Sequence, residues 1–309
     1  MEADAVIFDG ARHVRCDRLA LAAPQTDDLV VDVEYSGISS GTERLLWSGD
    51  MPIFPGLKYP LVPGYEATGR VIWSQSHPEL QGQRVFVPGA RCYQDVQGIF
   101  GASASRLVVP ANRAVPIDDL PADDAVLLAL AATAHHAVVG GRAPDLIVGH
   151  GVLGHLVARI ALALGHEPPV VWETNPERQD ANRYPVIDPE CDGRTDYKTI
   201  YDVSGDAGLL DTLIGHLAPG GEIVLAGFYA APISFAFPPA FMREIRMRIA
   251  AEWQPSDMDA VLGLLHSGKL SFERLISHRV AHDDAESAYQ TAFEDPACLK
   301  MVLNWKDAA

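Results

Sequence analysis

The segment Asp145-Leu-Ile-Val-Gly149-His-Gly151-Val-Leu-Gly154 sets three glycines at the spacing of a turn that wraps a phosphate. Gly149 lets a strand turn tightly, Gly151 lets a pyrophosphate approach the backbone, and Gly154 lets the following helix pack closely on a sheet. His150, Val152 and Leu153 complete the turn, and the free N–H groups of the helix would hold the anion. The His150 side chain is expected at the surface, away from the phosphates. Glu173 lies 24 residues after Gly149, at the end of the next apolar run, Val170-Val-Trp172. A carboxylate there accepts hydrogen bonds from a ribose diol and repels a 2′-phosphate, so the expected cofactor is NAD rather than NADP.

Such a turn needs a sheet to carry it. Leu146 to Val148 reads as a strand, and Val152 to Leu164 as an apolar helix closed by Gly165. Further strands are expected at Val170 to Glu173, Ile200 to Val203 and Glu222 to Ala226, with an alanine- and leucine-rich helix from Asp123 to Val139. Strands alternating with helices in this way predict an α/β fold with a doubly wound parallel sheet, the Rossmann arrangement. Residues 1–122 have a different character. Short β-branched runs at Leu29 to Val33, Gly69 to Trp73, Arg84 to Val87 and Arg106 to Val109, separated by glycine and proline, predict a β-rich, barrel-like domain. Past residue 262, a strand at Ile276 to Val280, a helix from Asp283 to Phe293 and a strand from Lys300 to Trp305 read as a return to the first domain. The expected organisation is therefore 1–122, 123–262 and 263–309.

Composition narrows the partners. With 41 acidic against 24 basic side chains among 309 residues, the net charge of −17 repels nucleic acid and anionic lipid, and no nucleic-acid partner is expected. Cys16, Cys92, Cys191 and Cys298 form no C-x-x-C pair, which argues against a structural zinc knuckle and makes buried free thiols the expectation. The chain opens on acidic residues and the short run Ala5-Val-Ile-Phe8, without the basic start of a signal peptide. No apolar run is long enough to span a bilayer. A cytoplasmic, reducing location is expected.

A β-rich domain first, a nucleotide domain second and a short β tail returning to the first resemble the medium-chain dehydrogenase/reductase superfamily. Ser36-Gly-Ile-Ser-Ser-Gly-Thr42 resembles its first catalytic loop, and Gly64-Tyr-Glu66-Ala-Thr-Gly69 resembles its glycine-His-Glu turn. Asp202-Val-Ser-Gly205 and Pro219-Gly-Gly-Glu-Ile-Val-Leu-Ala-Gly227 resemble its later sheet strands. The resemblance implies a GroES-like catalytic domain joined to a Rossmann domain. Ile38 through Gly49, Met51-Pro-Ile-Phe-Pro-Gly56, Tyr59 through Glu66, the glycine turn and Val171-Trp-Glu-Thr-Asn-Pro176 resemble more narrowly the bacteriochlorophyllide dehydrogenase family. That narrower resemblance implies NAD-linked oxidation of a 1-hydroxyethyl group on a chlorin or bacteriochlorin to acetyl. It also implies a place in bacteriochlorophyll synthesis, with greasy products that leave peripheral contact with the photosynthetic membrane open.

Zinc-dependent members of the superfamily carry a cysteine and a histidine where this chain has Ser39 and Tyr65. Neutral hydroxyls are poor zinc ligands, so no metal is expected. His135 and His136, adjacent on a helix, are expected to point to different sides and not to rebuild a site. Side chains must then manage the proton of a secondary alcohol. The resemblance places Ser39, Ser40, Thr42, Glu43 and Tyr65 at the reacting centre: Tyr65 to bond the substrate oxygen, Glu43 to take the proton if burial raises its pKa, and Thr42 or Ser40 to relay it. Equally open are the plainer readings, in which Tyr65 fills the space of the missing metal and Glu66 only holds the turn. Thr133 matches a helix start that lies beside the nicotinamide in the superfamily, with Ser204, Ala226, Gly227 and Phe228 on the strand ends around the cofactor. Trp47, Phe54 and Tyr59, with Met51, form an aromatic, proline-rich loop that would cover a flat macrocycle, and Arg44, Lys58 or Arg91 would pair with its carboxylate; domain packing is the competing reading.

Two rival functions remain at this stage. One is a zinc-free quinone or enoyl reductase of the same superfamily using NADPH, against which Glu173 speaks. The other is a non-catalytic pigment carrier. A homodimer is what the superfamily resemblance implies by analogy.

Overall fold

The computed structural model describes residues 1–52, 57–117, 119–179 and 183–306. Two compact units divide the chain: Met1–Ala129 with Phe272–Ala309, and Leu130–Ser271. Both joins fall later than the expected 122 and 262. Before the first join, Thr68 Oγ1 donates to Ala122 O at 2.8 Å, and the buried 3-10 turn Asp124–Leu127 packs on the strands of the first unit. At the second, Arg159 Nη1 donates to Ser271 O at 2.8 Å and ties that residue to the nucleotide unit.

In the first unit the strand Asp28–Ile38 is the hub. It pairs antiparallel with Ala67–Ser74, Arg106–Pro110 and Met301–Asn304, within a seven-stranded sheet that also holds Arg84–Val87, Val115–Pro116 and His278–Ala281. Leu29, Val30 and Val31 are fully buried, as their unbroken apolar run demands. The C-terminal tail joins this sheet with Met301 opposite Ile38, which sets Lys300 beside Gly37. A second sheet runs in the order His13–Ala20, Glu2–Gly10, Leu61–Val62 and Gln97–Gly98. No expectation covered the hairpin Glu2–Gly10 and His13–Ala20. Its outer strand is studded with charges, Arg15 pairing with Asp9 and Asp17 and Arg18 with Asp4, and so lacks an apolar alternation.

The second unit is a six-stranded sheet in the order Val186–Ile187, Val170–Trp172, Leu146–Val148, Tyr197–Asp202, Leu217–Leu225 and Arg246–Ile249, every neighbouring pair parallel. Counted along the chain this is 3-2-1-4-5-6, the Rossmann order, whose direction reverses beside Leu146–Val148. Leu146, Ile147 and Val148 are all buried, consistent with a strand covered on both faces. The helix Val152–Ala163 is closed by Gly165 at φ 86°. The expected helix from Asp123 starts instead as the 3-10 turn Asp124–Leu127 and becomes α-helical over Leu128–Val139. Tight turns of this kind are frequent at helix starts.

Among the described residues no helix is long and apolar enough to cross a membrane. The thiols are not uniformly buried: Cys92 and Cys298 are, Cys16 is half-buried, and Cys191 is exposed on the short turn Pro189–Cys191.

Candidate active site

The glycine turn divides its labour as steric arguments require. Gly149 has φ 99°, and a side chain there would press on the Ser204 backbone at 3.3 Å. At Gly154 a Cβ would lie 2.0 Å from Gly149 O, so helix and strand approach as closely as they do only with glycine. Around Gly151 a Cβ would meet nothing within 4 Å. The protein itself does not demand glycine at that position, and the space fits a ligand phosphate at the start of the helix Val152–Ala163, where Val152 is buried and Leu153 half-buried. Glu173, at the end of the neighbouring strand, accepts from His150 N at 2.9 Å through one oxygen and from Asn175 N at 2.8 Å through the other. Two backbone donors fix its direction and leave lone pairs for a diol.

His150 is not the surface residue expected. Its ring is fully buried, bonded through Nδ1 to Arg178 O at 2.5 Å and through Nε2 to the Tyr184 hydroxyl at 2.9 Å, and stacked on His155 at 3.6 Å between centroids. Burial pushes its pKa down and takes that of His155 down to about 3, so both rings are neutral props of the turn. Its position inside the glycine turn, roofed by Arg178 and Tyr184, leaves it no route to solvent. At the next strand end, the exposed Ser204 donates from N and Oγ to Asp202 Oδ1 at 2.9 and 2.6 Å. Gly227 crowds Gly205, with 2.9 Å between a built Cβ and Gly205 N; Ala226 is buried and Phe228 is exposed. Thr133 lies inside the helix Leu128–Val139 rather than at its start. His135 and His136 do converge, contrary to expectation: their Nδ1 atoms reach the two oxygens of Asp257 at 2.8 and 2.9 Å. Consecutive helical side chains diverge by only about 100°, a gap the two carboxylate oxygens span.

In the first unit a compact polar cluster forms where the strand Asp28–Ile38 runs into the helix Thr42–Ser48. Ser39 Oγ and Tyr65 Oη are 2.6 Å apart. Glu43, fully buried, accepts from Ser39 N at 3.1 Å and from Tyr289 Oη at 2.8 Å. Burial drives the Glu43 carboxyl up to about 8, with the Glu66 charge adding to it and the Tyr289 and Ser39 bonds resisting it. Tyr65 is pushed well above its ordinary 10, first by desolvation and then by Glu66 and Glu43, with Ser39 and Thr42 pulling it back in part. It therefore stays a neutral phenol that can donate and accept. Glu66 lies against Gly37 and pairs with the buried Lys300 ammonium through Oε2, while its Oε1 has no partner. Desolvation raises the Glu66 carboxyl and Lys300 opposes the rise.

Residues 25–119 match the model of the alcohol dehydrogenase GroES-like domain. The chain is 54% identical to the 2-desacetyl-2-hydroxyethyl bacteriochlorophyllide A dehydrogenase of Rhodobacter capsulatus, covering 100% of both chains. The protein of the same name from Cereibacter sphaeroides is 53% identical, again over 100% of both. The chain belongs to the bacteriochlorophyllide dehydrogenase family. The family sits within the medium-chain dehydrogenase/reductase superfamily, whose fold is seen in the acetophenone reductase of Geotrichum candidum in complex with NAD. That structure matches with a TM-score of 0.85 at 17% identity, covering 99% of this chain and 98% of that one.

For this family member the zinc of its superfamily cousins has poor footing. The two hydroxyls in the ligand positions bond each other, the phenol resists ionisation, and Lys300 already holds a Glu66 oxygen. Of the aromatics expected to cover a macrocycle, two that the structure describes make packing contacts. Trp47 is buried against Phe293 with Arg12 over its ring, and Tyr59 donates its hydroxyl to Leu46 O. Both aromatics are thus spent on packing, because the helix Thr42–Ser48 turns Trp47 inward. Arg44 is exposed, and Phe54 lies outside the described residues. Sequence reasoning missed Lys300 and Tyr289, which come 234 and 246 residues after their partners Glu66 and Glu43.

Proposed function

We propose that this protein oxidises the 1-hydroxyethyl side chain of a bacteriochlorophyllide to acetyl, with NAD as cofactor and without zinc. The observation that carries the substrate is the 54% identity over the whole of both chains to the Rhodobacter capsulatus enzyme of that name. Glu173 supports NAD: its anchored carboxylate suits a ribose diol and repels a 2′-phosphate. Gly149, Gly151 and Gly154 with the helix start would hold the pyrophosphate, and Ser204, Ala226, Gly227, Phe228 and Thr133 the remainder. Bound NAD supplies the acceptor for the hydride that leaves the carbinol carbon.

The chain's own residues manage the oxygen and its proton. Ser39 and Tyr65 bind the carbinol oxygen with their paired hydroxyls. Ionised Glu43 accepts from the Ser39 N–H and so holds that residue in place, and it takes the proton relayed through Thr42 or Ser40. Taking it removes a buried charge, which is why a pKa of about 8 suits the task.

An apolar surface on the terminal strand Arg246–Ile249 and the preceding helix Phe237–Met242 supports a homodimer joined edge to edge. Mixing the protein with 3-(1-hydroxyethyl)bacteriochlorophyllide a and either NAD or NADP, while following the pigment band and reduced nicotinamide together, tests the reading. Matched change with NAD and little with NADP is expected. Turnover only with NADP would overturn the cofactor, and no change with either would overturn the reaction.

A further inference from the structure

Phe100 holds a backbone conformation that aromatic side chains rarely adopt. Its φ is +64°, and Gly101 follows at +73°. The surrounding loop is built to keep it there. Ala90 N donates to Phe100 O at 2.6 Å, and Tyr93 Oη donates to Gly101 O at 2.7 Å. Glycine at 89 and 101 admits the close approach: a Cβ would stand 2.5 Å from Phe100 O at the first and 2.1 Å from Ala90 O at the second. For all this locking, the ring is not part of the core. It is 39% exposed, whereas Ala90, Ala102 and Ser103 around it are buried. Its one aromatic neighbour among the described residues is Tyr65, 5.2 Å away between centroids at 72°. Packing does not account for an apolar ring thrown outward on a strained backbone, against the ring of Tyr65, whose hydroxyl pairs with Ser39.

We infer that Phe100 is a stacking platform for the planar macrocycle of the substrate, placed beside Tyr65 so that ring and carbinol oxygen are oriented together. The inference rests on the substrate reading given above. An aromatic side chain contributes apolar contact and orientation to a flat ligand at little entropic cost, because the loop has already fixed it. Tyr65 and Ser39 then address the oxygen, and Phe100 addresses the plane from which that oxygen projects.

The substitution Phe100→Gly separates ring from fold, since glycine accepts the left-handed backbone without strain. Its melting temperature is expected to match or exceed that of the wild type. Binding of 3-(1-hydroxyethyl)bacteriochlorophyllide a is measured by pigment fluorescence without cofactor, and kcat and KM with NAD. Kd and KM are each expected to rise about tenfold and kcat to fall by less than that, since Tyr65 and Ser39 still hold the oxygen. Phe100→Tyr, which keeps the ring, should restore both, and Tyr65→Phe should show the opposite split. A folded Phe100→Gly protein with wild-type Kd and KM overturns the platform and leaves the substrate reading standing. Wild-type protein that neither binds nor oxidises the pigment overturns the substrate reading, and the platform with it.

Discussion

Two hydroxyls 2.6 Å apart and a carboxyl with a pKa of about 8 set what single substitutions should do. If Tyr65 holds the carbinol oxygen as proposed, replacing it with phenylalanine removes one donor from that oxygen. The expected cost is about 1–3 kcal/mol of transition-state binding, or roughly 5–150-fold in kcat, with the NAD dissociation constant unchanged. Wild-type kcat in Tyr65→Phe would show that the ring only fills space. Glu43 makes two predictions of different sign. As a base it works when ionised, so kcat should rise as pH climbs through about 8, and Glu43→Gln should lose that limb. For stability, its folded pKa stands above the ordinary 4.5, so the folded state prefers the protonated form and loses stability as pH rises from 4.5 through about 8. Chemical denaturation of wild type and Glu43→Gln across that range should diverge by a few kcal/mol, on the order of the shift's free energy, the variant being the flatter. Tyr65, Ser39 and Glu43 were legible because they fall within one short motif and its neighbour. Lys300 and Tyr289 were not, because only the antiparallel pairing of the tail with the strand Asp28–Ile38 carries Lys300 to Glu66, and only the packing of the helix Ala285–Glu294 carries Tyr289 to Glu43.

At the level of elements, the turn between Leu146–Val148 and Val152–Ala163 holds two glycines required for opposite reasons, and alanine should expose the difference. At Gly154 the added carbon meets Gly149 O at 2.0 Å, so the helix must lift from the strand. A loss of about 1–3 kcal/mol in stability is expected, together with weakened NAD binding. At Gly151 the carbon meets no protein atom within 4 Å, so the melting temperature should hold while NAD affinity falls at least about tenfold. Calorimetry of both variants with and without NAD decides it; a Gly151→Ala protein that binds NAD normally would move the phosphate elsewhere. Legibility at this scale follows the strength of periodicity. The buried strand Leu146–Val148 is an unbroken apolar run, and its helix an apolar run interrupted by His155 and Arg159. The hairpin of Glu2–Gly10 and His13–Ala20 hides behind paired charges, and His150, expected at the surface and away from the phosphates, is enclosed by tertiary partners that no local pattern reveals.

Across the whole molecule, charge and apolar surface make opposing demands. A net charge of −17 keeps copies apart, yet Phe237, Phe241, Met242 and Ile249 are 67%, 65%, 77% and 75% exposed on one stretch of the nucleotide unit. Soluble monomers seldom expose so much contiguous apolar area. The strand Arg246–Ile249 pairs only with Leu217–Leu225 among the described residues, so its other edge presents unpaired backbone groups as well. A second copy brought edge to edge would satisfy both the backbone and the apolar row, and the short range of screened repulsion at physiological salt allows it. Sequence patterning does not separate such a surface from a core, since an apolar run that meets a partner looks like one that enters the interior. Sedimentation of the wild type is therefore expected at twice 33.4 kDa, strengthening with salt as the repulsion is screened. The double substitution Met242→Lys with Ile249→Lys should give a folded monomer whose NAD turn is intact. If the wild type sediments as a monomer and instead floats with neutral lipid vesicles, the same row of side chains is a membrane contact, and the greasy pigment would be exchanged at that surface.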